Sequence, residues 1–186
     1  MKIILASASP RRRALLEAVG LEFEVCVSDV EEVVLPHWGA DQAARELARQ
    51  KAEAVAAQHP EHCVIGADTV VVIDGHILEK PVDVADAAHM LRMLSGREHR
   101  VITGVCLARG DRRRVFSQET AVRFYPLRDE EIARYVATGE PMDKAGAYGI
   151  QAFGALLVEG ITGDYFNVVG LPVARVVREL EAFAYA

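Results

Sequence analysis

An aspartate interrupts one of the most apolar runs in the chain, Val64-Ile65-Gly66-Ala67-Asp68-Thr69-Val70-Val71-Val72-Ile73. Left unpaired in a strand built for burial, the Asp68 carboxylate would cost several kcal/mol, so a cation, a metal or a donor must meet it. Carboxylates in such settings serve as general bases or metal ligands, and the plainer alternative is a structural cap on a nearby loop. Two lysines are placed to matter. Lys51 falls inside the apolar stripe Ala44, Leu47, Ala48, Ala52 and Val55 of a helix read over 41–57, where an ammonium needs an anionic partner such as a substrate phosphate or must snorkel to the surface. Lys80 follows the hairpin signal Asp74-Gly75. A two-residue turn there faces Ile73 with His76 and Thr69 with Lys80, bringing that cation beside Asp68, and a nearby cation stabilises an ionised carboxylate.

A phosphate-binding pattern occurs earlier, at Ser7-Ala8-Ser9-Pro10-Arg11-Arg12. It lies between a short apolar strand and a helix whose N-terminus offers unpaired N–H groups and a positive dipole end. Ser7, Ser9, Arg11 and Arg12 add hydroxyl and guanidinium donors at the same point, while Arg13 lies on another face and reads as solvated. A glycine-rich block, Gly139-Glu140-Pro141-Met142-Asp143-Lys144-Ala145-Gly146-Ala147-Tyr148-Gly149-Ile150-Gln151, suits tight turns and close backbone approach to a ligand. Gln151 carries both a donor and an acceptor, as reading a base edge requires. The remaining charged clusters read as structure: Arg112 to Arg114 as a solvated run after a turn, and His59 with His62 as a helix end without a third metal ligand.

The elements that must carry these residues intermix along the chain. Ser9 is a good N-cap, Pro10 suits the first helical position, and Gly20 closes a helix over 11–19. Alternation marks a strand over 21–27, and further strands are expected at 63–73, 100–108 and 115–124. Helices are expected at 85–94, 129–137 and 172–183, with a loop-strand-loop between the last two. This order defines a single α/β domain over 1–186 with a mixed sheet, without linker or repeat.

With 186 residues, 51% apolar and 26% charged, the chain can bury a proper core. Its net charge of -6 argues against a nonspecific grip on nucleic acid, so any anionic substrate must be met by local basic groups. Cys26, Cys63 and Cys106 sit in strand-like stretches without a C-x-x-C pair, which reads as reduced structural thiols. With no signal peptide and no long apolar span, the expectation is a soluble cytoplasmic protein that binds neither membrane nor nucleic acid.

Taken together, these motifs resemble the Maf (septum formation inhibitor) proteins, nucleoside triphosphate pyrophosphatases related to the inosine triphosphatase fold. The resemblance runs over the full length. Beyond the segments already quoted, it rests on Lys80-Pro81, Ser95-Gly96, Val101-x-Thr103-Gly104 and Gly163-Asp164-Tyr165-x-Asn167-Val168-Val169-Gly170-Leu171-Pro172. It implies a homodimer of α/β/α subunits with a central cleft between two lobes and Asp68 as proton acceptor. It marks Arg11, Thr69 and Gln151 as specificity positions. Asp68-Thr69 and Ala147-Tyr148-Gly149-Ile150-Gln151 are similar to the branch acting on dTTP and UTP, or on modified pyrimidine triphosphates. A sister branch acts on 7-methyl-GTP, and the family name reflects a rival reading as a nucleotide-binding regulator of septum formation. Glu79 and Ala152 depart from the glycines common at those positions, and a side chain at 152 narrows the base pocket. Joining both lines, Lys51, Lys80, Arg11 and Arg12 would hold the triphosphate. A divalent cation, Mg²⁺ or Mn²⁺, would bridge its oxygens near Asp68 and Glu32. Asp68 would activate the attacking water, and Thr69 and Gln151 would read a pyrimidine.

Overall fold

Alternation along one strand decides which helix covers which face. In the computed structural model, which describes residues 2–185, β1 (Ile3–Leu5) and β3 (Cys63–Ile73) run parallel, pairing Ile3 with Cys63 and Leu5 with Ile65. Odd-numbered Ile3, Leu5, Cys63 and Ile65 join one apolar cluster, whereas Ile4 and Val64 join another. Both faces are therefore buried, the usual condition of parallel strands. The first cluster takes in Leu16 of α1 (Pro10–Ala18) and Val176, Leu180 and Phe183 of α6 (Val173–Tyr185). The second takes in Ala48, Ala52, Val55 and Ala56 of α2 (Ala40–Ala56).

The remaining elements are β2 (Glu24–Val25), β4 (His76–Leu78), α3 (Val84–Leu94), β5 (Glu98–Arg109), β6 (Arg112–Phe124), α4 (Asp129–Val136), β7 (Val158–Thr162) and α5 (Tyr165–Val169). The seven-stranded sheet has the order β2-β1-β3-β5-β6-β7, with β4 paired to β3. Parallel pairs (β1 with β2 and β3) and antiparallel pairs (β3 with β4, β6 with β7) coexist, so the sheet is mixed as expected.

The chain divides into two compact units. One is drawn from Met1–Asp68, Thr103–Gln118 and Gly170–Ala186, the other from Thr69–Ile102 and Glu119–Val169. The first holds the two clusters above. The second has its own core, in which Val71, Ile73, Leu91, Leu94, Val122, Phe124, Ile132 and Tyr148 are buried together.

Local chemistry explains most boundaries. Ser9 caps α1 by accepting from the Arg12 amide, and the Gly20 and Leu21 amides close its far end on Glu17 and Leu16. Leu21 and Phe23 pack onto the apolar cluster, which leaves β2 only two residues rather than the expected seven. Asp74 and Gly75 both take positive φ, as a tight hairpin requires, and Ile73 pairs with His76. The hairpin ladder ends at the pair Val71 with Leu78, short of Lys80, because the Glu79 carbonyl accepts the Gly146 amide instead. Between Glu140 and Leu157 three short 3₁₀ turns replace the expected loop.

Candidate active site

Asp68 shares the parity of Val64 and Gly66 on β3, so its side chain falls on the face covered by α2. Lys51 projects from that helix, and its Nζ lies 2.5 Å from Asp68 Oδ1 and 3.0 Å from Glu32 Oε1. The side chains of Lys51 and Asp68 are each only 16% exposed, against 47% for Glu32. Of the two fates open to Lys51, the structure takes the paired one: the ammonium turns inward to a carboxylate rather than out to water.

Glu32 sits on an irregular segment outside the strands, so something other than ladder pairing must hold it. The Gln50 side chain does so by copying a ladder rung. Its Oε1 accepts the Val33 amide at 2.9 Å and its Nε2 donates to the Val33 carbonyl at 2.9 Å. Gln50 and Lys51 thus fix consecutive residues, Val33 and Glu32. Sequence reasoning missed Gln50, whose only signal was its place beside Lys51.

The Ser7–Arg12 loop is folded on itself. Ser7 is buried, and its Oγ accepts the Ser9 amide at 3.2 Å and Arg12 Nη1 at 3.1 Å. Arg12 Nε donates to the Gly170 carbonyl at 2.8 Å. Both serine oxygens act here as acceptors, so each hydroxyl can still serve as a donor. Burial pulls the Arg12 guanidinium below its ordinary range; Asp68 opposes this, Arg11 adds to it and Glu32 opposes it. Two arginines, one lysine and two carboxylates therefore interact within the first unit. It brings together Ser7, Ser9, Arg11, Arg12, Glu32, Lys51 and Asp68.

Thr69, Lys80 and Gln151 belong to the second unit. Thr69 is half-buried, while Lys80 and Gln151 are exposed. Gln151 follows the buried Tyr148, which packs edge-on against Phe124 and shares a 2.7 Å hydrogen bond with His99. The block around it is tied by Glu140 and Tyr135, neither of which sequence reasoning singled out.

The carboxylates offer hard oxygen donors of the kind Mg²⁺ and Mn²⁺ prefer. Among the described residues no group of three or more His, Cys, Asp or Glu side chains could hold a metal. Glu32 and Asp68 converge on one ammonium, which suits a cation that takes the rest of its shell from phosphate and water. Cys63 and Cys106 take no part, since burial pushes their thiols up to about 11 and about 12. No described helix is long and apolar enough to cross a membrane.

The α/β fold has counterparts among solved structures. A HAM1 protein from Coxiella burnetii matches over 98% of this chain and 99% of its own, with TM-score 0.56 and 15% identity, which establishes the shared fold. Residues 2–183 match the family described as Maf-like protein, and the chain belongs to that family. A relative from Symbiobacterium thermophilum, named dTTP/UTP pyrophosphatase, is 53% identical over 99% of this chain and 95% of its own. One from Koribacter versatilis, with the same name, is 57% identical over 96% of this chain and 92% of its own.

Proposed function

We propose that this chain is a nucleoside triphosphate pyrophosphatase that hydrolyses dTTP and UTP to the monophosphate and pyrophosphate. The observation that carries this reading is the Lys51–Asp68 pair, a carboxylate in an apolar strand held at 2.5 Å by an inward-facing lysine. The names of the relatives support the substrate class. The whole chain, 1–186, acts as one nucleotide pyrophosphatase domain, in a cytoplasmic homodimer without nucleic-acid or membrane partners.

In this reading Ser7, Ser9, Arg11 and Arg12, with the N-terminus of α1, bind the phosphates, and Lys51 and Lys80 neutralise them further. Lys51 engages Asp68 Oδ1 and so orients the carboxylate, whose Oδ2 accepts a proton from the attacking water. The water oxygen bonds to the α-phosphorus as the α–β anhydride bond breaks, and pyrophosphate departs with the electron pair. Glu32 and Asp68 would hold a divalent cation, Mg²⁺ or Mn²⁺, which when bound neutralises charge on the phosphate oxygens. Thr69 and Gln151 contact the pyrimidine.

The test is pyrophosphate release across a panel of triphosphates that includes 7-methyl-GTP. Preference for dTTP and UTP is expected. An Asp68→Asn protein should lose about 10² to 10⁴ in rate. Normal turnover by that variant would remove Asp68 as the base, and preference for the methylated purine would overturn the substrate assignment.

A further inference from the structure

Gln151 stands on an exposed bend between buried neighbours: Ile150 is 8% exposed and Gly154 is buried, while Gln151, Ala152 and Phe153 face solvent. A side chain in that position reads a ligand reliably only if its backbone is fixed by something other than burial. Ordinary ladder pairing is absent here, because residues 152–157 form a 3₁₀ turn.

The fixing contacts come from Glu140. Its Oε2 accepts the Phe153 amide at 3.2 Å, and its Oε1 accepts the Gly154 amide at 3.2 Å. The Tyr135 hydroxyl donates to Oε1 at 3.0 Å and itself accepts the Gly149 amide at 3.1 Å. Gly149 enters the bend and Phe153 and Gly154 leave it, so one carboxylate and one phenol tie both ends around Gln151. The ends also touch directly: a Cβ on Gly154 would run into the Gly149 carbonyl and lie 2.9 Å from Tyr135 Oη. Glu140 is itself anchored, since its amide donates to Thr138 Oγ1 at 3.1 Å and its carbonyl accepts Lys144 Nζ at 2.5 Å. Burial raises the Tyr135 phenol well above its ordinary range. It therefore stays a neutral donor.

We propose that Glu140 is a specificity-determining positioning residue, whose carboxylate closes the 149–154 bend and thereby sets where the Gln151 amide meets the base. This rests on the reading above that Gln151 contacts a pyrimidine. A glutamine amide that can turn over satisfies the N3–H and O4 of uracil or, reversed, the N3 and N4 amino group of cytosine. Discrimination between them therefore depends on a fixed amide and not on its presence alone. Charge-assisted bonds from backbone N–H to carboxylate are stronger than neutral ones, which makes Glu140 more effective in this place than an amide of the same size.

The experiment compares wild type with Glu140→Gln and with Tyr135→Phe, the milder change that deletes the Gly149 tether and the hydroxyl's bond to Glu140 but leaves the carboxylate on the Phe153 and Gly154 amides. Glu140→Gln puts an NH₂ donor against an amide donor. Amide hydrogen exchange is measured on the ligand-free proteins, and kinetics on UTP and CTP. Exchange across 149–154 should rise by about tenfold or more in Glu140→Gln. Its KM for UTP should rise about tenfold with kcat within about threefold, and the UTP-to-CTP ratio of kcat/KM should fall. Tyr135→Phe should shift the same quantities less. Unchanged exchange overturns the clamp, and faster exchange with wild-type KM and wild-type selectivity overturns its role in specificity. A loss confined to kcat also overturns it. If the wild-type protein releases no pyrophosphate from UTP or dTTP, the functional reading fails instead, and the exchange data still decide the clamp.

Discussion

A Cβ on Gly66 would lie 2.8 Å from the Cβ of Ala52 and 2.7 Å from its backbone nitrogen. Helix α2 and strand β3 therefore meet backbone to backbone at this point. Gly104 makes a similar approach on β5, where an added Cβ would lie 2.6 Å from the Arg45 nitrogen. Lys51 and Asp68 flank the Gly66 contact, one residue from Ala52 and two from Gly66. The depth at which α2 seats on the strand thus sets the Lys51–Asp68 distance.

Gly66→Ala should consequently impair catalysis more than its single methyl suggests. The clash is with backbone, so the helix must move rather than a side chain rotate. Overpacking of this kind costs about 1–3 kcal/mol. A displacement of about 1 Å at a catalytic group can lower the rate about 10²-fold. Urea unfolding and initial rates of pyrophosphate release measure the two effects. Full activity in a folded Gly66→Ala protein would show that seating depth does not control the pair.

How far the sequence disclosed this arrangement depended on whether the determining contacts were local. β3 was legible to the residue, because an eleven-residue apolar run bounded by polar residues leaves little choice. α2 starts and ends one residue before the range read from its stripe. The inward lysine and the buried aspartate were each recognisable from the cost of leaving a charge unpaired. Their partnership with each other was not, since Lys80 was expected to serve Asp68 through the hairpin. The bend around Gln151 was illegible for another reason. Its amides are satisfied by the side chains of Tyr135 and Glu140, 13 or 14 residues away, and no periodicity records that. Glu32 entered only with the mechanism that joined the residue reading to the family resemblance, and the Gln50 contacts that hold its segment needed coordinates.

His99 gives the fold a defined acid sensitivity. It is 2% exposed, and burial lowers its pKa from 6.5 to about 4. The folded state therefore keeps this ring neutral over a range in which the unfolded chain protonates it. Its stability contribution is complete above pH 6.5, declines as pH falls toward 4, and changes little below that. The loss amounts to roughly 3 kcal/mol. Urea unfolding of wild type and His99→Gln between pH 7 and 4 tests this. The variant should begin less stable, because the 2.7 Å bond to Tyr148 and the ring contacts are altered, but its pH slope should be smaller. Parallel slopes would assign the acid sensitivity elsewhere.

Ala152 carries the bend at a local cost. Its φ is +50°, in the left-handed region, on an exposed residue whose methyl has little burial to lose. The resemblance implies glycine at this place, and a φ of this sign is one that glycine adopts without strain. An alanine in that region costs roughly 1–2 kcal/mol relative to right-handed backbone, while glycine adds unfolded-state entropy worth about 0.4–1 kcal/mol. The balance favours Ala152→Gly, which should raise the urea midpoint by an amount equivalent to roughly 0.5–1 kcal/mol with the m-value unchanged. Because Glu140 and Tyr135 fix the ends of the bend independently of residue 152, the KM for UTP should stay within about twofold of wild type. A lower midpoint would mean that the alanine restrains the unfolded chain more than it strains the folded one. A raised KM would mean that its methyl shapes the base site itself.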